Sequence, residues 1–167
     1  GYAEHEGRKC FAVVRMLPNG SLDQTFGSQG IALVSFGNGE TSSCAQAVMI
    51  DSEGRIVAGG FSTAIKNIPH WCLARLNPNG SLDRSFFGGR ATFKGTVVTT
   101  FASLDEMSHI NGLAECADGK IVAVGGVCAH DAASFAVARY NTNGSLDNTF
   151  NAAGNSGPAG TVCTQFG

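Results

Sequence analysis

A short motif repeated three times dominates this chain of 167 residues. The motif is Pro/Thr-Asn-Gly-Ser-Leu-Asp, and its copies end at Asp23, Asp83 and Asp147. The asparagines of the first and second copies are 60 residues apart, and those of the second and third are 64 apart. An apolar run containing an arginine precedes each copy, and a phenylalanine follows it. Regular spacing of this kind is typical of proteins built from stacked or radially arranged repeats.

A second repeated pattern lies between the copies of the motif. Residues 51–60 and 117–126 each place an acidic residue and a glycine in a turn, and a run of β-branched and small residues follows. This arrangement predicts a β-hairpin. We find no amphipathic pattern with helix caps anywhere in the chain.

The two patterns together predict an all-β fold of four-stranded antiparallel blades, as in a β-propeller. The expected strands are 30–36, 44–50, 55–62 and 71–77 in the first blade, and 95–101, 110–116, 120–127 and 135–141 in the second. One more strand is expected at 160–166. The predicted division of this single repeat domain is an N-terminal extension at 1–10, a last strand and corner at 11–29, one blade at 30–83, a second at 84–147, and the first strand of a further blade at 148–167.

Three sequence features resemble a known repeat. They are Leu-Asp-x-x-Phe-Gly at 22–27, the acidic-Gly-Lys/Arg-Ile-Val-Ala hairpin, and Phe-x-x-x-Arg-x-x-x-Asn-Gly-Ser-Leu-Asp. Together they are similar to the delta-60 repeat of largely uncharacterised, mostly bacterial secreted and surface proteins. The resemblance implies a propeller-type fold and a secreted or cell-surface location, and it implies no catalytic residue. The chain departs from the pattern where 151–154 replaces the glycine after Phe150, and at 86–88, where the loop is longer.

Composition and net charge limit the classes of function that the chain can have. Charged residues make up 14% of the chain, against about 25% in typical domains, and the 23 glycines suit a turn-rich β protein. A net charge of -2 without a basic cluster argues against binding to nucleic acid. No apolar stretch approaches the ~20 residues of a membrane-spanning helix, so we expect no membrane insertion. The chain begins at Gly1 without a leader, and we expect a processed or excised segment.

Six cysteines are many for a chain of this length, and none belongs to a Cys-x-x-Cys pair. They are Cys10, Cys44, Cys72, Cys116, Cys128 and Cys163. One interpretation is that they form disulfides in an extracellular protein. The other is that several are small buried apolar side chains. Cys10 and Cys163, near the termini, are the best placed to reach another chain.

An arginine lies on the apolar face of one strand in each repeat, at Arg15, Arg75 and Arg139. An aspartate follows eight residues later, at Asp23, Asp83 and Asp147, and can accept a bidentate hydrogen bond. We interpret each pair as a structural ion pair at the corner between blades, with an exposed contact to an anion or sugar as the alternative. Asn19, Asn79 and Asn143 each begin an Asn-Gly-Ser triplet. The triplet is a favoured turn and also an N-glycosylation sequence.

No catalytic motif is present, since the chain lacks a Gly-x-Ser-x-Gly elbow, a His-Glu-x-x-His helix and a phosphate-binding loop. We therefore predict a non-catalytic secreted protein without a cofactor or metal. Two blades cannot close a ring, because propellers usually need 4 to 8. We expect the chain to belong to a longer propeller or to form an oligomer or filament with copies of itself through intermolecular strand pairing. The alternative is a propeller that binds a carbohydrate or peptide, such as a cell-surface glycan or protein, on the loops 62–69 or 86–92, with Trp71 and phenylalanines as stacking surfaces.

Overall fold

A computed structural model describes residues 1–37, 42–88, 94–101, 107–129, 132–154 and 156–165. All regular elements in these ranges are β-strands, which confirms the all-β fold class. The strands are β1 (Tyr2–His5), β2 (Arg8–Val14), β3 (Ile31–Val34), β4 (Ser43–Ile50), β5 (Ile56–Ile65), β6 (Ile68–Leu76), β7 (Thr96–Thr99), β8 (Met107–Glu115), β9 (Ile121–Ala129), β10 (Ala132–Tyr140) and β11 (Thr161–Thr164).

The two predicted hairpins form through the turn chemistry that the sequence indicates. Gly54 and Gly119 adopt φ values of 76° and 77°, which a glycine reaches without steric cost. Their amides donate to the carbonyls of Asp51 and Cys116, both at 2.9 Å. The turns therefore join β4 to β5 and β8 to β9 in antiparallel register.

The strands form three antiparallel sheets with a simple order. Sheet 1 is β1-β2-β3, sheet 2 is β4-β5-β6-β7 and sheet 3 is β8-β9-β10-β11. The described residues thus form two four-stranded blades and one three-stranded blade. Tyr2–His5 pairs with β2, so the predicted extension at 1–10 belongs to sheet 1.

Each blade begins and ends one strand later in the chain than the repeat predicts. We call the turn that contains each Asn-Gly-Ser-Leu-Asp motif a corner. The strand after each corner was expected to begin the next blade, but β3 pairs with β2, β7 with β6 and β11 with β10. The reason is that the corner folds back on its own strand, through the bridge between Leu76 and Leu82 in sheet 2, for example. The corner is therefore a connection within a blade, and β11 completes sheet 3.

The sheets stack face to face with two apolar cores between them. Phe11, Val34 and Leu76 are among the side chains buried between sheets 1 and 2. Trp71, Leu73 and Tyr140 are among those buried between sheets 2 and 3. Strand β6 is buried on both faces, because its even-numbered side chains contact the first core and its odd-numbered ones the second.

The sheets converge at one edge. Strand β8 packs against β4, β5 and β6, and β4 packs against β2, so the first strands of sheets 2 and 3 lie closest to their neighbours. At the opposite edge a groove separates β3 from the β7 side of sheet 2. This wedge-shaped stacking is typical of the blades of a β-propeller.

Candidate interaction surfaces

The structure brings each repeat arginine together with its predicted aspartate. The distances from Nε to the carboxylate Oδ2 are 2.9 Å for Arg15–Asp23, 2.7 Å for Arg75–Asp83 and 2.7 Å for Arg139–Asp147. The ion pair uses one carboxylate oxygen, whereas a bidentate pair was expected. The other oxygen accepts hydrogen bonds from the amide and hydroxyl of the residue two positions on, which is Thr25, Ser85 or Thr149.

Each guanidinium also lies over the phenylalanine that follows its corner. The distances from Cζ to the ring centroid are 4.9, 4.6 and 5.0 Å at Phe26, Phe86 and Phe150. Cation–π contacts of this kind stabilise most when they are removed from water. Arg75 is the most deeply buried of the three, with its side chain only 2% exposed.

The carboxylates of the corners are held in the ionised form. Burial raises the pKa of Asp83, but hydrogen bonds from Ser85 and the charge of Arg75 outweigh it and leave the pKa below the ordinary 3.8. The Thr149 hydroxyl and the Lys120 ammonium hold the pKa of Asp147 well below its usual range. A general acid needs a pKa near the working pH. These aspartates are therefore suited to structural ion pairs and unsuited to proton donation.

The repeat asparagines close the corner turns. The Oδ1 atoms of Asn19, Asn79 and Asn143 each accept from the amide and hydroxyl of the serine two residues on, at 2.7–3.0 Å. All three residues are exposed. This is the turn that the Asn-Gly-Ser triplet favours.

The first two corners also bind the corner of the following sheet. Nη1 of Arg15 donates to the carbonyl of Pro78, and Nη1 of Arg75 donates to the carbonyl of Thr142 at 2.6 Å. Nearby, the amide of Gly27 donates to the carbonyl of Asn79 at 2.8 Å, and the amide of Phe87 donates to that of Asn143 at 3.0 Å. These two arginines therefore connect neighbouring blades, as predicted, although each corner joins two strands of the same blade.

Serine hydroxyls join the sheets at a second point. The amide of Phe11 in β2 donates to Ser43 Oγ, and the amide of Trp71 in β6 donates to Ser108 Oγ, both at 3.1 Å. Each sheet therefore contacts the next with the same set of groups, which are an aromatic residue, a strand amide and an arginine. We call this side of each sheet its forward face and the opposite side its rear face.

The two ends of the stack leave equivalent groups exposed. Phe135, on the forward face of sheet 3, is 45% exposed, whereas the equivalent Phe11 and Trp71 are 0% exposed. Met16, on the rear face of sheet 1, is 61% exposed, whereas the equivalent Leu76 and Tyr140 are 0% exposed. The forward face of sheet 3 and the rear face of sheet 1 are thus uncovered copies of surfaces that the rest of the chain buries.

Three features that were predicted as sites are placed as follows. Trp71 is not a stacking surface for a ligand, because it is buried and its Nε1 donates to the carbonyl of Gly126 at 3.1 Å. In the loop 86–92, Phe86 is buried and residues 89–92 lie outside the described ranges. No disulfide joins the six cysteines, of which Cys10 and Cys72 are buried and the others are half-buried.

The structure also contains polar contacts that the sequence did not indicate, one within sheet 3 and one between sheets 2 and 3. Lys120 Nζ lies 2.9 Å from Asp147 Oδ2, and Glu115 accepts from the amide and hydroxyl of Ser52 at 2.7 and 2.9 Å. Lys120 occupies the same hairpin position as Arg55, whose Nε lies 2.7 Å from Asp51. Comparing the basic residues of the two hairpins would have indicated this position.

The groove between sheets 1 and 2 has a volume of about 1160 Å³. We call it the inter-sheet groove. The side chains that line it include His5, Ile31, Leu33, Leu82, Arg84 and Lys94. Among the residues that the structure describes, no group of three or more His, Cys, Asp or Glu side chains is placed to hold a metal ion.

Comparison with known families agrees with this geometry. The family model described as a domain of unknown function (DUF5122) beta-propeller matches residues 1–26, 52–86 and 116–150, which together exceed half of the chain. The chain belongs to the DUF5122 β-propeller family. The second and third matched segments of this DUF5122 chain each cover a hairpin turn, the two central strands of a sheet and the following corner.

A search of curated proteins finds no significant match to this DUF5122 chain. Within the described ranges, no helix has the length and apolar character needed to cross a membrane.

Proposed function

We propose that this DUF5122 chain is a non-catalytic interaction module that binds further sheets of its own repeat, head to tail. The exposed forward face of sheet 3 supports the proposal, because Phe135 lies 45% exposed where Phe11 and Trp71 are fully buried by the next sheet. The arginine of that face, Arg139, is placed like Arg15 and Arg75, whose Nη1 atoms bind the carbonyl of the next corner.

The rear face of sheet 1 supplies the complementary surface. Val14 and Met16 are 48% and 61% exposed, and their equivalents in sheet 2 are buried against sheet 1. A contact between two different faces is heterologous, so it extends into a ring or a filament according to the rotation between copies. We therefore favour packing between sheet faces over the intermolecular strand pairing that was expected from the incomplete ring.

The extracellular location and the likeness to the delta-60 repeat belong to the same proposal. They rest on the resemblance that the repeat motifs carry. The cysteines do not add to it, since none forms a disulfide.

Two substitutions at opposite ends of the stack test head-to-tail association. We expect the unmodified chain to form species larger than a monomer in size-exclusion chromatography with multi-angle light scattering. Phe135→Asp removes the forward contact and Met16→Asp removes the rear contact, and both side chains are exposed enough for the fold to tolerate the change. Each variant alone should be a monomer, and an equimolar mixture should form a dimer and nothing larger.

The control is Val48→Asp, which changes an apolar residue that is 65% exposed but belongs to sheet 2, the middle sheet of the stack. It should associate like the unmodified chain. The proposal would be contradicted if the unmodified chain stayed monomeric at all concentrations. It would also be contradicted if the mixture of the two variants stayed monomeric.

A further inference from the structure

The inter-sheet groove runs along the free edge of a strand. Its lining includes Ile31, Ala32 and Leu33, which are consecutive residues of β3. Consecutive side chains of a strand point to opposite faces of the sheet. A groove that touches all three must therefore pass around the strand edge, and β3 is the edge strand of sheet 1.

The alternation of hydrogen-bonded and non-hydrogen-bonded residues along β3 shows which backbone groups point toward the groove. The amide of Arg15 donates to the carbonyl of Gly30 at 3.1 Å, which sets the alternation of bonded pairs between β2 and β3. Ala32 and Val34 then bond β2, while Ile31 and Leu33 direct their N–H and C=O groups away from it. Ile31 exchanges bonds with Ser28, which leaves Leu33 to present a donor and an acceptor to the groove.

The ionisable side chains of the groove are all basic. They are His5, Arg84 and Lys94, and the described part of the lining includes no aspartate or glutamate. This local excess of positive charge occurs in a chain with a net charge of -2. All three residues are exposed, and Arg84 and Lys94 form no ion pair with a residue in the described part of the chain. The groove is thus electrostatically suited to an acidic occupant.

The apolar lining is aliphatic. Ile31 and Leu33 lie on the rear side of β3, opposite Val14 and Ala12, and Leu33 is 41% exposed. Among the described residues, the apolar side chains that line the groove are all aliphatic. Since aromatic rings supply the large, flat amphipathic surfaces on which sugars stack, this described lining favours a peptide over a sugar.

We propose that the inter-sheet groove binds an extended acidic peptide as an added strand on the free edge of β3. The peptide backbone exchanges hydrogen bonds with Leu33, as in other cases of strand addition. Alternate peptide side chains then point to opposite sides, so acidic side chains meet Arg84 and Lys94 while apolar ones pack on Ile31 and Leu33. The backbone edge of β3, Arg84 and Lys94 take no part in the proposed association, although Ile31 and Leu33 lie on the same side of sheet 1 as Val14.

Binding can be measured by fluorescence anisotropy with a labelled, terminally blocked hexapeptide, Glu-Val-Glu-Val-Glu-Val. Two further peptides separate charge from backbone pairing. In one, lysine replaces glutamate. In the other, alternate residues are N-methylated, which keeps the charge and removes the amide donors that pair with the strand edge. We expect the acidic peptide to bind, its affinity to fall with added salt, and both altered peptides to bind at least about tenfold more weakly.

Charge-reversal variants locate the site on the protein. Arg84→Glu and Lys94→Glu should each weaken binding of the acidic peptide by about tenfold at low salt. The matched control is Lys66→Glu in the β5–β6 turn, which lies outside the groove and should leave binding unchanged. Both reversed side chains are exposed, and unchanged thermal unfolding of the variants verifies that they fold.

Three outcomes would overturn the proposal. Equal binding of the N-methylated peptide would exclude strand addition. Equal loss of binding in Lys66→Glu would indicate a response to overall charge and not to the groove. Binding of a sulfated oligosaccharide such as heparin, without binding of the acidic peptide, would identify the groove as a polyanion site of another class.

Discussion

At the scale of single residues, the same three side chains perform the same task in each repeat but in different surroundings. An arginine binds an aspartate, lies over a phenylalanine and, in the first two repeats, reaches the next corner. The side chain of Arg75 is 2% exposed and that of Arg15 is 36% exposed. Exposed ion pairs contribute little to stability, whereas removing one partner of a buried pair leaves an uncompensated charge.

The substitution of methionine for arginine should therefore have unequal effects in two repeats. We expect Arg75→Met to lower the free energy of unfolding by about 3 kcal/mol or more, and Arg15→Met by about 1 kcal/mol or less. Chemical denaturation of both variants measures the difference. A double variant, Arg75→Met with Asp83→Asn, should recover part of the lost free energy of unfolding, because it no longer buries a carboxylate without its arginine partner. Equal losses at Arg75 and Arg15 would show that burial does not govern these pairs.

At the scale of strands, both complete sheets contain the same irregularity. The first strand carries a β-bulge, between Ala45 and Ala47 in β4 and between Ile110 and Gly112 in β8. The facing strand has a glycine at the bulge, Gly60 or Gly125. A Cβ on Gly125 would lie 2.1 Å from the backbone oxygen of His109, so the bulge leaves room only for glycine.

Adjacent glycines in β9 allow a controlled test of the bulge. Gly125→Ala should destabilise the chain by about 3 kcal/mol, because backbone must move to admit the methyl group. Gly126→Ala should cost no more than about 1 kcal/mol, since its Cβ would meet the flexible His109 side chain at 3.3 Å. Thermal unfolding of the two variants provides the measurement. Comparable destabilisation by both would mean that strand propensity, and not the bulge, decides the cost.

At the scale of the whole molecule, the three sheets differ in how much of their surface is covered. Sheet 2 has a core on each face, and most of β5 and β6 is buried. Sheet 1 has three strands and one covered face, and β1 is largely exposed. Local opening is easiest where few apolar contacts must break.

Hydrogen exchange followed by mass spectrometry should reflect this difference. We expect the amides of β5 and β6 to exchange most slowly and those of β1 most rapidly, with β9 and β10 between them. Under conditions that favour head-to-tail association, β10 should gain protection because the forward face of sheet 3 becomes covered. Uniform protection across the three sheets would instead indicate that the chain opens as one cooperative unit.

Much of this architecture could be predicted because it depends on local chemistry. The glycine turns at Gly54 and Gly119 and the alternation around Arg75 are properties of short segments, and each recurs in another repeat. The inter-sheet groove could not be predicted, because His5 belongs to one repeat and Arg84 and Lys94 to another, and the three residues have no shared sequence pattern. The burial of Trp71 was missed for a related reason, since alternation assigns a side chain to a face but does not show what covers that face.

The sequence by itself determined the β-strands, the turns between them and the pairing of each arginine with its aspartate, since all of these form between residues close in the chain. Only the tertiary structure decided that β3, β7 and β11 complete the preceding sheets, because a periodic sequence can be divided into units at any point. It likewise decided which copies of a repeated surface are covered. Equivalent residues such as Trp71 and Phe135 differ in exposure because sheet 3 packs on the first, while no described part of the chain packs over the second.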